Sequence, residues 1–396
     1  MPSKITIASI IGLLVASTSA QTNTTYPVYP NNFNWQRTYP ALFDSLGRWA
    51  VPPTNSSEVV AWYASINKTL IPPAPIIAVN ATTSALIDPY AVGQNPYCDW
   101  SFDICSRPSD VRICPDKGVW GLTFDDGPTP DGSKLYDFLA QSNQKATLFY
   151  IGIMVAQYPS IAQKGCAAGH QIGVHTWSHH PLTTLTNEQI VAELMWTATI
   201  IKEVCGITPR YFRPPTGDFD DRVRFIAESL GFTPIIWDLD TNDWTIGTAG
   251  SQVTTATEDA SFVKWIAGVS NDTTGHICLQ HELNNITVNE AIKNLPALQK
   301  AYKVMPVASC TNEQHPYTEN IIFPTINNAA LQPNSLPING STTSSTSNIT
   351  SASPSISAGG LSANSSSKNA AAPNASGSSA LIAAFAAAFV CFVFSL

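Results

Sequence analysis

Between residues 111 and 310, short apolar runs suited to β-strands alternate with amphipathic runs suited to helices. This alternation constrains the chain more than any other feature. Strand followed by helix, repeated over about 200 residues, demands a parallel sheet or a barrel. The strand runs are 119–124, 147–152, 171–175, 210–213, 233–240 and 275–280. One helix is expected over Lys134–Ser142. A second starts at Thr186 with a capping box completed by Gln189. It buries Val191, Leu194, Met195, Ala198 and Ile201 and stops at Gly206. A third runs from Asp221 to Leu230 and is stopped by Gly231.

Polar residues gather where the strand runs end. Val119–Phe124 leads into Asp125-Asp126 and then a Gly127-Pro128 turn. The other clusters are His175-Thr176-Trp177-Ser178-His179, Arg213-Pro214-Pro215-Thr216-Gly217, Asp240-Thr241-Asn242-Asp243-Trp244 and Leu279-Gln280-His281. In a β/α barrel such ends converge on the catalytic face. Asp and Gly are also ordinary turn residues, so the Asp pair alone is equally a plain turn. Five polar clusters at equivalent positions are harder to explain by packing.

Two adjacent ionised carboxylates are costly to bury without a cationic partner. His175 and His179 are four apart, so on one helical turn both imidazoles face one side. Two histidines and a carboxylate make a ligand set for a zinc-class ion with positions open to water. His-x-x-x-His alone is more often structural, as we read His180, but the Asp pair on a neighbouring strand favours the metal. Such an ion lowers the pKa of bound water from ~15.7 to about 7. The carboxylate that is not a ligand is then available as a base, and Arg213 is expected to hold it by a bidentate pair. His281 is a candidate acid, with a carboxylate fixing its tautomer. Trp244 and Leu279 would form an apolar wall.

In order and residue content these motifs (Thr123-Phe124-Asp125-Asp126-Gly127-Pro128, His175-x-x-x-His179, Arg213-Pro214-Pro215-x-Gly217, Asp240-x-x-Asp243-Trp244 and Leu279-x-His281) resemble the polysaccharide deacetylases, carbohydrate esterase family four, also called the NodB-homology domain. Within that family the secreted, anchored frame described below looks like the fungal chitin deacetylases. The resemblance implies a distorted (β/α) barrel with fewer than eight complete repeats. It implies Asp126, His175 and His179 as ligands of a divalent ion, Zn or Co, with Asp125 as base and His281 as acid. It further implies that Arg213 orients Asp125 and Asp243 orients His281, with Trp244 and Leu279 around the acetyl methyl. One position departs from the family: Thr216 stands where Tyr is common. The part that residue plays, a backbone N–H toward the oxyanion, survives the substitution. The implied reaction is hydrolysis of the N-acetyl groups of chitin. Acetylxylan or peptidoglycan deacetylation are alternatives within the family, and a non-catalytic glycan-binding wall protein is an alternative outside it.

Only 12% of residues are charged, the net charge is −8, and no basic patch is present, which argues against nucleic acid as a partner. Met1–Ala20 reads as a secretory signal peptide: Lys4, an apolar core over 5–15, then small residues. Asn-X-Ser/Thr sequons follow at Asn23, Asn55, Asn67, Asn80, Asn271, Asn285, Asn339, Asn348, Asn364 and Asn374. Of eight cysteines, Cys391 falls in a tail expected to be removed. Cys114 and Cys310 bracket the alternating region and are expected to clasp it. Cys278, inside an apolar run, is expected to stay free. Residues 320–367 carry no charge, and Ser341–Ala370 is dominated by Ser and Thr, as in an O-glycosylated stalk. Small residues and then the apolar run Ala380–Leu396 have the pattern of a glycosylphosphatidylinositol (GPI) signal, with Asn374, or else Asn369, as the attachment residue. The expected organisation is therefore signal peptide 1–20, N-terminal extension 21–110, deacetylase domain 111–310, linker and stalk 311–374, and propeptide 375–396. Such a protein would sit as a monomer at the outer face of the plasma membrane and in the wall, acting on wall glycan.

Overall fold

The computed structural model describes residues 33–327. The signal peptide, Asn23, the Ser/Thr-rich stalk with its sequons at Asn339, Asn348, Asn364 and Asn374, and the apolar tail lie outside the described residues. Residues 33–78 and 87–327 belong to one compact unit, and Val79–Leu86 to another.

The strands of the main unit are β1 (Val119–Gly127), β2 (Thr147–Tyr150), β3 (Gln171–Val174), β4 (Tyr211–Phe212), β5 (Thr233–Pro234), β6 (Leu239–Asp240), β7 (His276–Leu279) and β8 (Lys303–Met305). All pair in parallel, in the order β5-β4-β3-β2-β1-β7-β6, and β8 pairs with the start of β1. The two outermost strands, β5 and β6, are halves of one segment. The predicted strand 233–240 pairs with β4 at its beginning and with β7 at its end, so it curls the sheet back on itself as a distorted (β/α) barrel. In between, Ile235 N–H still reaches Phe212 O of β4, Ile236 N–H reaches Val111 O, and Asp238 N–H already reaches Ile277 O of β7.

The helices follow their end signals. Thr129 caps Pro130–Gln141, which begins earlier than its apolar pattern because Pro130 suits a first turn. Thr186 and Gln189 form the capping box of the helix Asn187–Cys205, which ends at Gly206 with φ 75°. Asp220 caps Asp221–Ser229. Thr255–Gly268 and Asn285–Ala301 flank the far side, each with its own capping box. Val191, Leu194, Ala198 and Ile201 are buried as expected, while Met195 is only half-buried.

The N-terminal segment packs on the barrel. Tyr39 stacks on Trp177 with ring centroids 6.0 Å apart, and Trp62 of the helix Ser57–Ala64 meets Trp196 edge-on at 5.3 Å. Among the described residues, three disulfides join Cys98 to Cys105, Cys114 to Cys310, and Cys166 to Cys205. Cys278 is free and buried. Disulfides of this number fit a chain that folds in an oxidising compartment. Among the described residues, no helix is long and apolar enough to cross a membrane. The sequons at Asn55, Asn67, Asn80, Asn271 and Asn285 are all exposed.

Candidate active site

β1 is buried along its whole length and ends in the two carboxylates. In a regular strand, adjacent side chains point to opposite faces. Thr123 and Asp125, two apart, share a face and both accept from Arg213 Nη1, at 2.7 and 2.8 Å. Asp126 would then point away from them. It does not, because the pairing of β1 with β2 slips between Phe124 and Gly127, and Asp126 takes φ 71°. This bulge re-aims one side chain beside a functional site. Asp125 Oδ2 and Asp126 Oδ1 consequently lie 3.7 and 3.5 Å from the same atom, His175 Nε2.

His179 Nε2 is 3.2 Å from Asp126 Oδ1, and the two imidazole centroids are 4.9 Å apart. Asp126, His175 and His179 offer ligand atoms that all lie within 4.8 Å of one another. The expectation that the histidines share a helical turn is corrected here. Residues 175–179 form a loop in which Thr176 and His179 have φ of 63° and 56°. A helix would need its N–H groups to find carbonyls one turn back. Those of Trp177 and Ser178 instead bind Glu193 Oε2, at 2.7 and 2.8 Å, and Ser178 Oγ donates to Glu193 Oε1. His179 N–H donates to Thr176 Oγ1 at 3.0 Å.

Two observations fit a cation at this point. Asp126 Oδ1 is buried and has no hydrogen-bond donor. His175 Nδ1 lies 2.8 Å from Arg213 O, which requires a proton on that nitrogen and leaves the Nε2 lone pair toward Asp126. Burial opposes ionisation of Asp126, and the positive charge that His179, His175 and His281 bring when protonated holds its carboxyl well below the usual range.

Arg213 follows β4, is wholly buried, and rests over the Phe149 ring at 4.4 Å. Its grip on Asp125 is a single hydrogen bond and not the expected bidentate pair. Nη1 is shared with Thr123, and Nε and Nη2 face Ile235 O and Ile236 O, each at 3.4 Å. The guanidinium therefore ties β1 to the bent 233–240 segment.

His281 sits beyond β7 and bridges Asp125, whose N–H bonds Gln280 O while Asp125 O accepts from Glu282 N–H. His281 Nδ1 is 2.5 Å from Asp243 Oδ1, and its own N–H donates to Asp243 Oδ2 at 2.9 Å. Burial alone would lower its pKa. The Asp243 carboxylate, with Asp126 and Asp125 further off, raises it to about 10. Burial pushes the Asp240 carboxyl up, and Asp240 Oδ1 accepts from Asn242 N–H at 2.8 Å.

The other predicted site residues are more peripheral. Thr216 is exposed in a left-handed conformation, φ 56°, with its hydroxyl turned to Pro215 O. Trp244 is 40% exposed and Leu279 5%. Neither Thr216 nor Trp244 hydrogen-bonds to the Asp125–His281 group.

Sequence reasoning missed two buried acids. Glu193 was legible as a lone carboxylate inside the apolar run Ile190–Trp196 of its helix. Glu282 lies where Gly127 and Gly132 leave room, since a Cβ at either would fall 1.8 Å from its carboxyl. Tyr136 Oη donates to Glu282 at 2.8 Å. Burial, with Asp126 and Asp125 nearby, pushes the Glu282 carboxyl well above its usual range.

Three residues that could hold a metal ion, a carboxylate bonded to arginine and a His–Asp pair come together at the end of one barrel, an arrangement suited to a metal-dependent hydrolase. A family model described as polysaccharide deacetylase matches residues 112–235. The chitin deacetylase of Amylomyces rouxii is 41% identical over 288 residues, which is 69% of this chain and 67% of that protein. Chitin deacetylase 1 of Cryptococcus neoformans var. grubii is 42% identical over 277 residues, 67% of this chain and 56% of that one. The solved chitin deacetylase of Colletotrichum lindemuthianum aligns with a TM-score of 0.48 at 26% identity, covering 53% of this chain and 96% of that chain. The chain belongs to the polysaccharide deacetylase family.

Proposed function

We propose that this protein is a chitin deacetylase, which hydrolyses the N-acetyl groups of N-acetylglucosamine units in chitin to give chitosan and acetate during wall remodelling. The carrying observation is the bulge that turns both Asp125 and Asp126 toward His175 Nε2 while Arg213 holds only Asp125. One carboxylate is thereby committed to the histidines and the other kept as a base. The names of the fungal relatives support chitin as the substrate.

Asp126, His175 and His179 would hold the ion, and Zn or Co suits two imidazoles and a carboxylate. When bound, such an ion polarises the amide carbonyl and acidifies water. Asp125 accepts the proton of the attacking water as its oxygen bonds to the carbonyl carbon. Arg213 Nη1 donates to Asp125 Oδ1 and keeps that carboxylate aimed. The Thr216 N–H is a donor for the oxyanion, and one preorganised donor is typically worth about 3 kcal/mol. His281 delivers a proton to the amide nitrogen as the C–N bond breaks. Asp243 engages Nδ1 of that ring and leaves Nε2 for the transfer. Trp244 and Leu279 face the acetyl methyl. Acetate release from chitin oligomers compared with acetylxylan tests the substrate. Faster release from the chitin oligomers is expected, and preference for acetylxylan would overturn the assignment.

We further propose a monomer that is secreted after cleavage at Ala20, glycosylated at its exposed sequons, and held at the plasma membrane by GPI on Asn374, or else Asn369. Phosphatidylinositol-specific phospholipase C should release it from membranes. Retention in the membrane after complete digestion would contradict the anchor.

A further inference from the structure

The loop that joins the two histidines has no regular structure of its own, yet it must deliver both rings to one point. Its hold comes from Glu193, in the second turn of the helix Asn187–Cys205. That side chain is wholly buried. Oε2 receives the N–H groups of Trp177 and Ser178, at 2.7 and 2.8 Å, and Oε1 receives the Ser178 hydroxyl. Both amides belong to residues that lie between His175 and His179. Loop and helix both pack closely on Gly152: a Cβ there would lie 2.4 Å from the Trp177 ring and 2.9 Å from Thr197 Oγ1, so the loop has little room to move toward that side.

We propose that Glu193 is a positioning residue for the metal centre: it fixes the His175–His179 loop so that both imidazoles are preset for the ion, and it thereby sets metal affinity. The inference rests on the reading of Asp126, His175 and His179 as the ligands. Two residues in left-handed conformation, Thr176 and His179, hold the loop in a shape it would not keep alone. Three converging donors on one carboxylate supply the restraint. Outer groups that orient ligands typically change metal affinity 10- to 100-fold when removed.

The test is the Kd for Zn2+ of the purified protein, measured by competition with a chromophoric chelator. Glu193→Leu removes every acceptor and should weaken binding by about 10- to 100-fold. Glu193→Gln keeps an oxygen for the two amides and offers an NH2 group that the Ser178 oxygen can accept. It should recover most of the affinity. Ile200→Ala, a cavity in the same helix away from the loop, should leave the Kd within about twofold. If Glu193→Leu does not fold, Glu193→Asp, too short by one methylene to reach both amides, should weaken binding about tenfold, at the low end of the same range. An unchanged Kd in a folded Glu193 variant, or an equal loss in Ile200→Ala, would overturn the proposal. A wild-type protein that binds no Zn2+ would instead overturn the reading of the site.

Discussion

Asp125 and Asp126 are neighbours with different partners. Asp126 faces two imidazoles, and Asp125 faces a buried guanidinium. The sequence located the pair at a strand end and named its partners. It did not contain the slip in register that turns both side chains to one side, because a bulge depends on how β1 pairs with β2. The same limit explains why Arg213 makes one bond to Asp125 and not two: Thr123, on the same face of β1, competes for Nη1. His281 carries the clearest pH consequence. Its pKa is raised to about 10, chiefly by Asp243 working against burial. A general acid must be protonated, so activity falls as pH rises through that value. An ion on Asp126 would cancel part of the pull, which places the working limb below 10. Replacing Asp243 by Asn removes the main raising charge. The alkaline limb of kcat against pH should then move to lower pH by at least one unit, with a loss of about 10- to 100-fold in rate at neutral pH. An unmoved limb would remove His281 from the role of acid.

Most elements were legible where a local signal marks them. The box at Thr186 and Gln189, the stop at Gly206 and the apolar runs of β1, β2, β3 and β7 rest on short-range chemistry. Three features were not. β8 is only three residues long and gains its identity from pairing with Val119–Gly121. The 233–240 run is one strand by pattern but two by pairing, because the barrel closes through its bend. The histidine loop takes its shape from a carboxylate on another element. The disulfide Cys114–Cys310 acts at this scale. It ties the segment entering β1 to the short helix Val307–Cys310 after β8, across a sequence separation of 196. Closing so long a loop restricts the unfolded chain strongly, and removing a bridge of this kind costs about 2–5 kcal/mol. The double substitution of Cys114 and Cys310 by Ser should lower the unfolding free energy by that amount in a denaturant titration. A change below about 0.5 kcal/mol, near the scatter of ordinary surface substitutions, would show that the bridge does not clasp the barrel.

At the scale of the molecule, the parallel barrel brings the ends of strands far apart in sequence to one place. Asp125, His175, Arg213, Asp243 and His281 each follow a different strand, or stand at its end, and every one of them takes part in a single network of contacts. The N-terminal segment, whose composition carried no chemical signal, packs by aromatic stacking of Tyr39 on Trp177, between His175 and His179. In the proposed amide hydrolysis, the Asp126–His175–His179 trio and the Asp125 base act together. Acetate release from a defined chitin oligomer tests it most directly, with untreated protein, chelated protein, chelated protein given back Zn2+ or Co2+, and Asp125→Asn. The predicted result is loss of release on chelation, recovery with the added ion, and a loss of at least about 100-fold in Asp125→Asn, the range for a missing general base. Wild-type acetate release by Asp125→Asn, or by protein fully stripped of metal, would contradict it.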